Sequence, residues 1–266
     1  MKSLLDQSAL TNLAENLVSA ARKAGADTAD AVAVRSVSVS VEVRDRAVEE
    51  SERSESDDLG LRVFVGRKQA VVSTNDIAGA TPSVLAERAV AMARVAPDDP
   101  YAGLADADRL AHRFPDLDLV DNDIPAVAHL EQLAREAEQA GLAVKGVTKS
   151  GGASASAGIG GMVLVTSHGF SGAYLGSRHG LSMMAIAGDG TGMERDYEFS
   201  SKSHAADLDS PAHVGTVAGE RTVKRVNPRK VSTRKVPVIF DPLTGASVVC
   251  EVIQEAKQPK TILLLA

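Results

Sequence analysis

The sequence predicts an α+β protein: an N-terminal α/β unit with a small mixed sheet and flanking helices, a mostly antiparallel β unit with helices, and the start of a third unit. Three observations carry this expectation. Apolar residues recur at three- and four-residue spacing in several separate segments, valines alternate with period two between them, and glycines punctuate residues 143–200 at hairpin spacing.

Taken in order, Leu10, Leu13, Ala14, Leu17, Val18 and Ala21 predict an amphipathic helix over 8–24, stopped by Gly25. From Val32 the period becomes two. Val32 and Val34 are in one phase and Val37, Val39, Val41 and Val43 in the other, so a bulge is expected near Arg35-Ser36. Residues 48–58, rich in Glu and Ser, read as a polar strand beside a hairpin of 60–65 and 69–73 that turns at Gly66-Arg67-Lys68. Thr81 is the expected N-cap, and Pro82 the first residue, of a second helix reaching Val95.

Residues 96–123 hold Pro97, Pro100 and Pro115 among eight aspartates, the composition of an exposed crossing. It separates an expected domain 1–118 from a central domain 119–228, with 229–266 as the start of an incomplete third. A third helix is expected over 125–140, ending at Gly141. Runs 162–166, 170–175 and 181–187 read as antiparallel strands joined by tight turns, Pro211–Arg225 as a fourth helix, and 235–240 as a short strand stopped by Asp241-Pro242. The apolar residues 262–265 form a bare tail.

Composition narrows function. With 44% hydrophobic and 24% charged residues, 266 residues can bury a core, which excludes a rod or a disordered chain. One cysteine, Cys250, excludes an internal disulfide framework and a multi-cysteine metal site. A net charge of −6 argues against general nucleic-acid affinity, and 3% aromatics with no Trp supply few stacking platforms. No apolar run nears the ~20 residues of a membrane span, and Asp6 interrupts the N-terminus too early for a signal-peptide core. A cytoplasmic protein without membrane contact is expected.

Zinc hydrolases need paired histidines with an adjacent Glu to activate water. None of His112, His129, His168, His179, His204 and His213 is followed by Glu. They read as turn or surface residues, with a discontinuous site of His168, His179 and an acid as the alternative. Gly169-Phe170-Ser171-Gly172-Ala173 lacks the last glycine of a nucleophile elbow, and Gly158-Ile159-Gly160-Gly161 and Gly188-Asp189-Gly190-Thr191-Gly192 read as hairpin turns rather than phosphate loops. No catalytic residue and no metal ligand is therefore expected in this chain. Arg221, Lys224, Arg225, Arg229, Lys230, Arg234 and Lys235, with no acid among them, read as a helix C-terminus and solvated loop, or as a contact for an acidic partner. In Glu194-Arg195-Asp196-Tyr197, β alternation sends Glu194 and Asp196 to one face and Arg195 and Tyr197 to the other, as an internal ion-pair set or a ladder facing a substrate or partner.

The run Ser167-His168-Gly169-Phe170, Gly176-Ser177-Arg178-His179, Gly188-Asp189-Gly190 and Met193-Glu194-Arg195-Asp196-Tyr197, closed by Arg229-Lys230-Val231-Ser232-Thr233 and Pro237-Val238-Ile239-Phe240, resembles the TldD/PmbA family, on its PmbA (TldE) side. Ser54-Glu55, Gly60-Leu61-Arg62-Val63-Phe64-Val65-Gly66 and Ser73-Thr74-Asn75-Asp76 are similar to its N-terminal unit. The resemblance implies a subunit of a cytosolic zinc metallopeptidase complex, with a TldD-like catalytic partner, peptides as substrates, and modulator of DNA gyrase as an older description. It implies that zinc sits in the partner, on a His-Glu-x-x-x-His helix, and that this chain holds no cofactor; its counterpart, Gly245-Ala246-Ser247-Val248-Val249-Cys250-Glu251-Val252-Ile253-Gln254, contains no histidine. Arg178, His179, Glu194, Arg195, Asp196 and Tyr197 are the residues expected to contact substrate or partner. The chain is expected to stop early in the family's C-terminal domain, and a homo-oligomer is a further expectation. A free-standing binding module using 221–235 remains the alternative reading.

Overall fold

The computed structural model describes residues 7–77, 79, 81–121 and 123–256. The chain divides into two units, 1–227 and 228–266. In the first, β1 (Thr28–Arg44), β2 (Ala47–Val65), β3 (Lys68–Thr74), β4 (Val147–Thr166), β5 (Ser171–Ala187) and β6 (Glu194–Lys202) form one sheet in the order β3-β2-β1-β4-β5-β6. Every neighbouring pair is antiparallel. The α+β class holds, but one antiparallel sheet takes the place of the small mixed sheet and the separate central β unit. Strand β1, paired with β2 on one side and β4 on the other, joins the two.

Two helix pairs cover one face of this sheet. Helices α1 (Gln7–Lys23) and α2 (Pro82–Val95) lie over one end, where Leu10, Leu17, Ala89 and Val90 meet Ala31, Leu61, Val63 and Val163. Helices α3 (Val127–Ala143) and α4 (Pro211–Arg225) lie over the other, where Leu130, Ala137, Val214 and Ala218 meet Val41, Ala155, Leu181 and Met183. Each fully buried leucine contributes about 1.5–3 kcal/mol, so the apolar stripes dock these helices. Gly25, at φ +100°, takes the left-handed conformation that ends α1. Ser210 caps α4 by accepting the His213 N–H at 3.2 Å, whereas Thr81 makes no side-chain cap and leaves the start of α2 to Pro82.

Four local expectations change. Residues 48–58 are not a separate polar strand beside the hairpin but run without a break into 60–65 as β2. β1 has no phase slip at Arg35-Ser36: Ala29, Ala31 and Ala33 carry the inner phase that Val37–Val43 continue, and Val32 and Val34 lie on the other face. The irregularity falls between Glu42 and Val43, beside the Asp45-Arg46 turn. Gly158–Gly161 is no turn but the middle of β4, paired on both sides, and a Cβ on Gly158 would lie 3.1 Å from the Val37 carbonyl oxygen. Residues 235–240 form no strand but extended chain without regular secondary structure, in which Ile239 is 97% exposed.

In the second unit, residues 228–241 carry no regular secondary structure and lead into α5 (Pro242–Ala256), whose first turn is closed by Gly245 N–H donating to the Asp241 carbonyl at 2.7 Å. The tail at 262–265 lies outside the described residues. No helix among them is long and apolar enough to cross a membrane.

Candidate functional site

Polar side chains gather where the aspartate-rich connector meets β5. His179, in mid-β5, points toward the helix layer and is 2% exposed. Its Nε2 lies 3.4 Å from Asp121 Oδ2, too poorly placed for a hydrogen bond, and has no other partner among the described residues. Burial pushes the His179 pKa below the ordinary histidine value; the Asp121 charge opposes this and His204 adds to it.

The connector supplies the rest. Asp121 accepts the Ala205 N–H at 2.9 Å and the Asp123 N–H at 3.1 Å, and these bonds hold its carboxyl below the usual carboxylate range. Ser177 Oγ accepts the Asp121 N–H at 2.6 Å and donates to the Ser203 carbonyl at 2.7 Å, while the Ser177 N–H donates to the Leu119 carbonyl at 2.8 Å. His204 Nε2 sits 2.8 Å from the Asp118 carbonyl oxygen, which raises its pKa, assisted by the nearby aspartates. Backbone and side-chain bonds thus pin Asp118, Leu119 and Asp121 to β5 and to the segment after β6.

Beside this tether lies a cavity of about 140 Å³, walled by Leu130, Leu133, Leu181 and Leu208, with His129, His179 and Asp209 among its polar residues. Asp209 is engaged, since Ser200 Oγ donates to its carboxylate at 2.7 Å and accepts its N–H at 3.0 Å. These contacts hold the Asp209 pKa down, with the Ser200 bond the main cause. Among the described residues His179 makes no hydrogen bond to a hydroxyl or thiol, so they build no nucleophile–base pair with it. The arrangement positions a loop and lines an apolar cavity.

The sequence-predicted residues separate. His179 is buried, not a turn or surface residue, and His168 lies in the β4–β5 turn, far along the strand from it. Arg178 points to the opposite face and donates to Ser201 Oγ at 2.9 Å. On edge strand β6 the predicted alternation is seen: Asp196 pairs with Arg225 of α4 at 2.5 Å, and half-buried Glu194 shares its face. Arg195 and Tyr197 are exposed on the other, where Tyr197 stacks on Phe199 with centroids 6.3 Å apart. Glu198 continues the inner phase and pairs with Arg221 at 2.9 Å. Two cations of the basic segment are therefore engaged with β6, and those from Arg229 onward belong to the second unit. Sequence reasoning missed Asp121, Ser177, Glu198 and His204; of these only Glu198 carried a signal, as the next step of the 194/196 alternation.

The family models described as PmbA/TldA metallopeptidase domain 1 and PmbA/TldA metallopeptidase central domain match residues 29–93 and 121–226. The chain belongs to the PmbA/TldD family. The Metalloprotease PmbA homolog of Haemophilus influenzae is 38% identical over 232 residues, covering 86% of this chain and 51% of the relative. Metalloprotease PmbA of Escherichia coli O157:H7 is 34% identical over 244 residues, covering 90% and 54%. The chain thus spans about half the length of these PmbA relatives. A crystal structure from Bacteroides thetaiotaomicron, described as a proposed modulator of DNA gyrase, superposes with a TM-score of 0.84 at 22% identity, covering 95% of this chain and 57% of that one, and so shares the fold.

A PmbA/TldD metallopeptidase site calls for a set of metal donors, and the residues described here do not fit one. No group of three or more His, Cys, Asp or Glu among them is placed to hold a metal ion. Helix α5, which follows the segment resembling the family's Pro-Val-Ile-Phe run, has Cys250 and Glu251 as donors among its described side chains and no histidine in its sequence.

Proposed function

We propose that this chain is a non-catalytic, PmbA/TldE-like subunit of a cytosolic zinc metallopeptidase complex acting on unfolded or extended peptides. Its part is to hold and shape a TldD-like catalytic partner rather than to bind the metal. One observation carries this reading: the donor chemistry of α5 and of the described residues lacks the histidine pair that would bind zinc beside a glutamate general base. The identity to two PmbA relatives supports the choice of branch.

Metal analysis and an unstructured-peptide cleavage assay test it, first on the purified chain and then after mixing with a TldD-type protein. The chain alone should carry no stoichiometric zinc and cleave nothing, and the mixture should co-elute. Near-stoichiometric zinc with chelator-sensitive cleavage by the chain alone would overturn the proposal.

A further inference from the structure

The cavity of about 140 Å³ beside the tether reaches from the surface down to the sheet. Its floor is His179, Leu181 and Leu130, all buried, and its sides are the half-buried Leu133, Leu208 and Pro211. The rim residues His129, Ala205, Asp209 and Ser210 are exposed, so a ligand can enter without opening the core.

Size and walls define the body of such a ligand. A dry cavity of about 150 Å³ lined by Leu, Ile and Phe admits benzene, so a single six-membered ring fits here. The leucines around it reward an apolar surface.

The floor asks for one polar atom. His179 is 2% exposed, and its Nε2 has no hydrogen-bond partner among the described residues. A buried polar atom left unpaired is costly and uncommon, and this one belongs to a side chain that lines the cavity. An imidazole nitrogen donates or accepts according to its protonation and tautomer, and a hydroxyl group answers either.

Charge is discouraged in both signs. Asp209 stands at the rim and Asp121 Oδ2 lies 3.4 Å from the His179 nitrogen, which repels an anion. Helices α3 and α4 both start beside the cavity, at Val127 and Pro211, with no acid in the first turn of either, and their positive ends repel a cation. The apolar walls penalise the desolvation of either.

We infer that this cavity is a binding site for a neutral phenol, its ring against Leu130, Leu133, Leu181 and Leu208 and its hydroxyl on His179 Nε2. A free phenol and the tyrosine side chain of an extended peptide share this chemistry. Neither requires a metal or a catalytic partner, so the site stands apart from the peptidase reading.

Titration calorimetry and NMR on the full chain test this, with p-cresol as the probe and toluene as its counterpart without the hydroxyl. p-Cresol should bind with a Kd of about 1 mM or tighter. It should shift the ring-nitrogen resonances of His179 and leave those of His168, in the β4–β5 turn, in place. His179→Phe should lower the affinity ratio of p-cresol to toluene at least ~10-fold. Leu208→Trp, which fills the cavity from its outer wall, should abolish binding of both with unchanged circular dichroism. N-acetyl-tyrosinamide separates the two sources: affinity equal to or above that of p-cresol assigns the site to a peptide side chain, and weaker affinity assigns it to a free phenol. No binding of p-cresol to the wild type, an unmoved His179 resonance, an affinity ratio unchanged by His179→Phe, or full binding by Leu208→Trp would each overturn the site.

Discussion

The two ends of the sheet are built on opposite terms. Under α1 and α2 the core is aliphatic, with Leu10, Leu17, Leu61, Val63 and Val90 fully or almost fully buried. Under α3 and α4 and along the neighbouring β5–β6 edge, burial extends to Glu138, Ser150, Ser177, His179, Ser200 and Thr222. There the helices meet through glycine: a Cβ on Gly215 would lie 2.1 Å from the Ala137 carbonyl oxygen, and one on Gly141 would lie 2.5 Å from Met183 Cε. Polar groups at this end are mostly committed. Glu138 Oε2 accepts the Arg46 N–H at 2.8 Å, and Arg135 donates to the Arg46 carbonyl, so α3 grips a hairpin turn whose Asp45 and Arg46 are both left-handed. Thr222 Oγ1 donates to the Ala218 carbonyl at 2.8 Å. Apolar burial is tolerant of detail, whereas buried polar groups and backbone-to-backbone contact demand one geometry. The first end therefore supplies bulk stability, and the second places residues.

The largest test of this contrast is Leu17→Ala. A leucine removed from a tightly filled aliphatic core should cost about 3–4 kcal/mol in urea unfolding, while leaving the NMR signals of His179 and His204 in place. A cost below ~1 kcal/mol would mean that the first end is not the main source of stability.

Gly215→Ala should come next. Alanine favours a helix by about 1 kcal/mol over glycine, but the methyl group must push α3 and α4 apart, and overpacking should win for a net loss of about 2 kcal/mol. Stabilisation by this substitution would show that the helices do not approach as described.

Ion pairs sharpen the comparison at a smaller scale. Glu198–Arg221, with side chains only 19% and 25% exposed, should lose about 1 kcal/mol on Arg221→Met. Arg53→Met, which breaks the half-exposed pair with Glu55, should change stability by less than ~0.5 kcal/mol. Equal losses from the two would remove the distinction between packed and solvated pairs.

The smallest effect is the pH dependence of the tether. Burial lowers the His179 pKa in the folded chain, so its contribution is present above the ordinary histidine value of about 6.5 and is lost as pH falls below it. His204 is raised, so its contribution is present below about 6.5 and is lost as pH rises through the folded value. His179→Gln should flatten or reverse the acid loss of stability, and His204→Gln should steepen it, as read from urea midpoints across that range. Parallel shifts at all pH values would mean that neither ring titrates with folding.

Much of the fold was legible because periodicity is a local property. The stripe of Leu10, Ala14 and Leu17 announces α1, the Gly66-Arg67 turn sets the β2–β3 hairpin, and Pro211–Arg225 has the bounds expected of it. Alternation also placed Asp196 and Tyr197 on opposite faces of β6. Local patterns misled where small residues carried the signal. Alanines at 29, 31 and 33 continue the buried phase of β1 without looking hydrophobic enough to count, and the glycines of 158–161 are a strand interior because β1 and β5 run close on either side.

The sequence by itself determined the helices of the first unit, the α+β class and the family, because side-chain spacing along a helix and the motifs of a lineage are both written in consecutive residues. Only the tertiary structure decided that one sheet joins the two patterned halves, that His179 is buried, and that Asp121, Ser177 and His204 converge on the connector. Asp121 and His204 are far apart in the chain and share no periodic signal. They meet because strand pairing brings β5 and β6 together and the connector closes its backbone hydrogen bonds against that edge, a long-range condition that no local window of sequence contains.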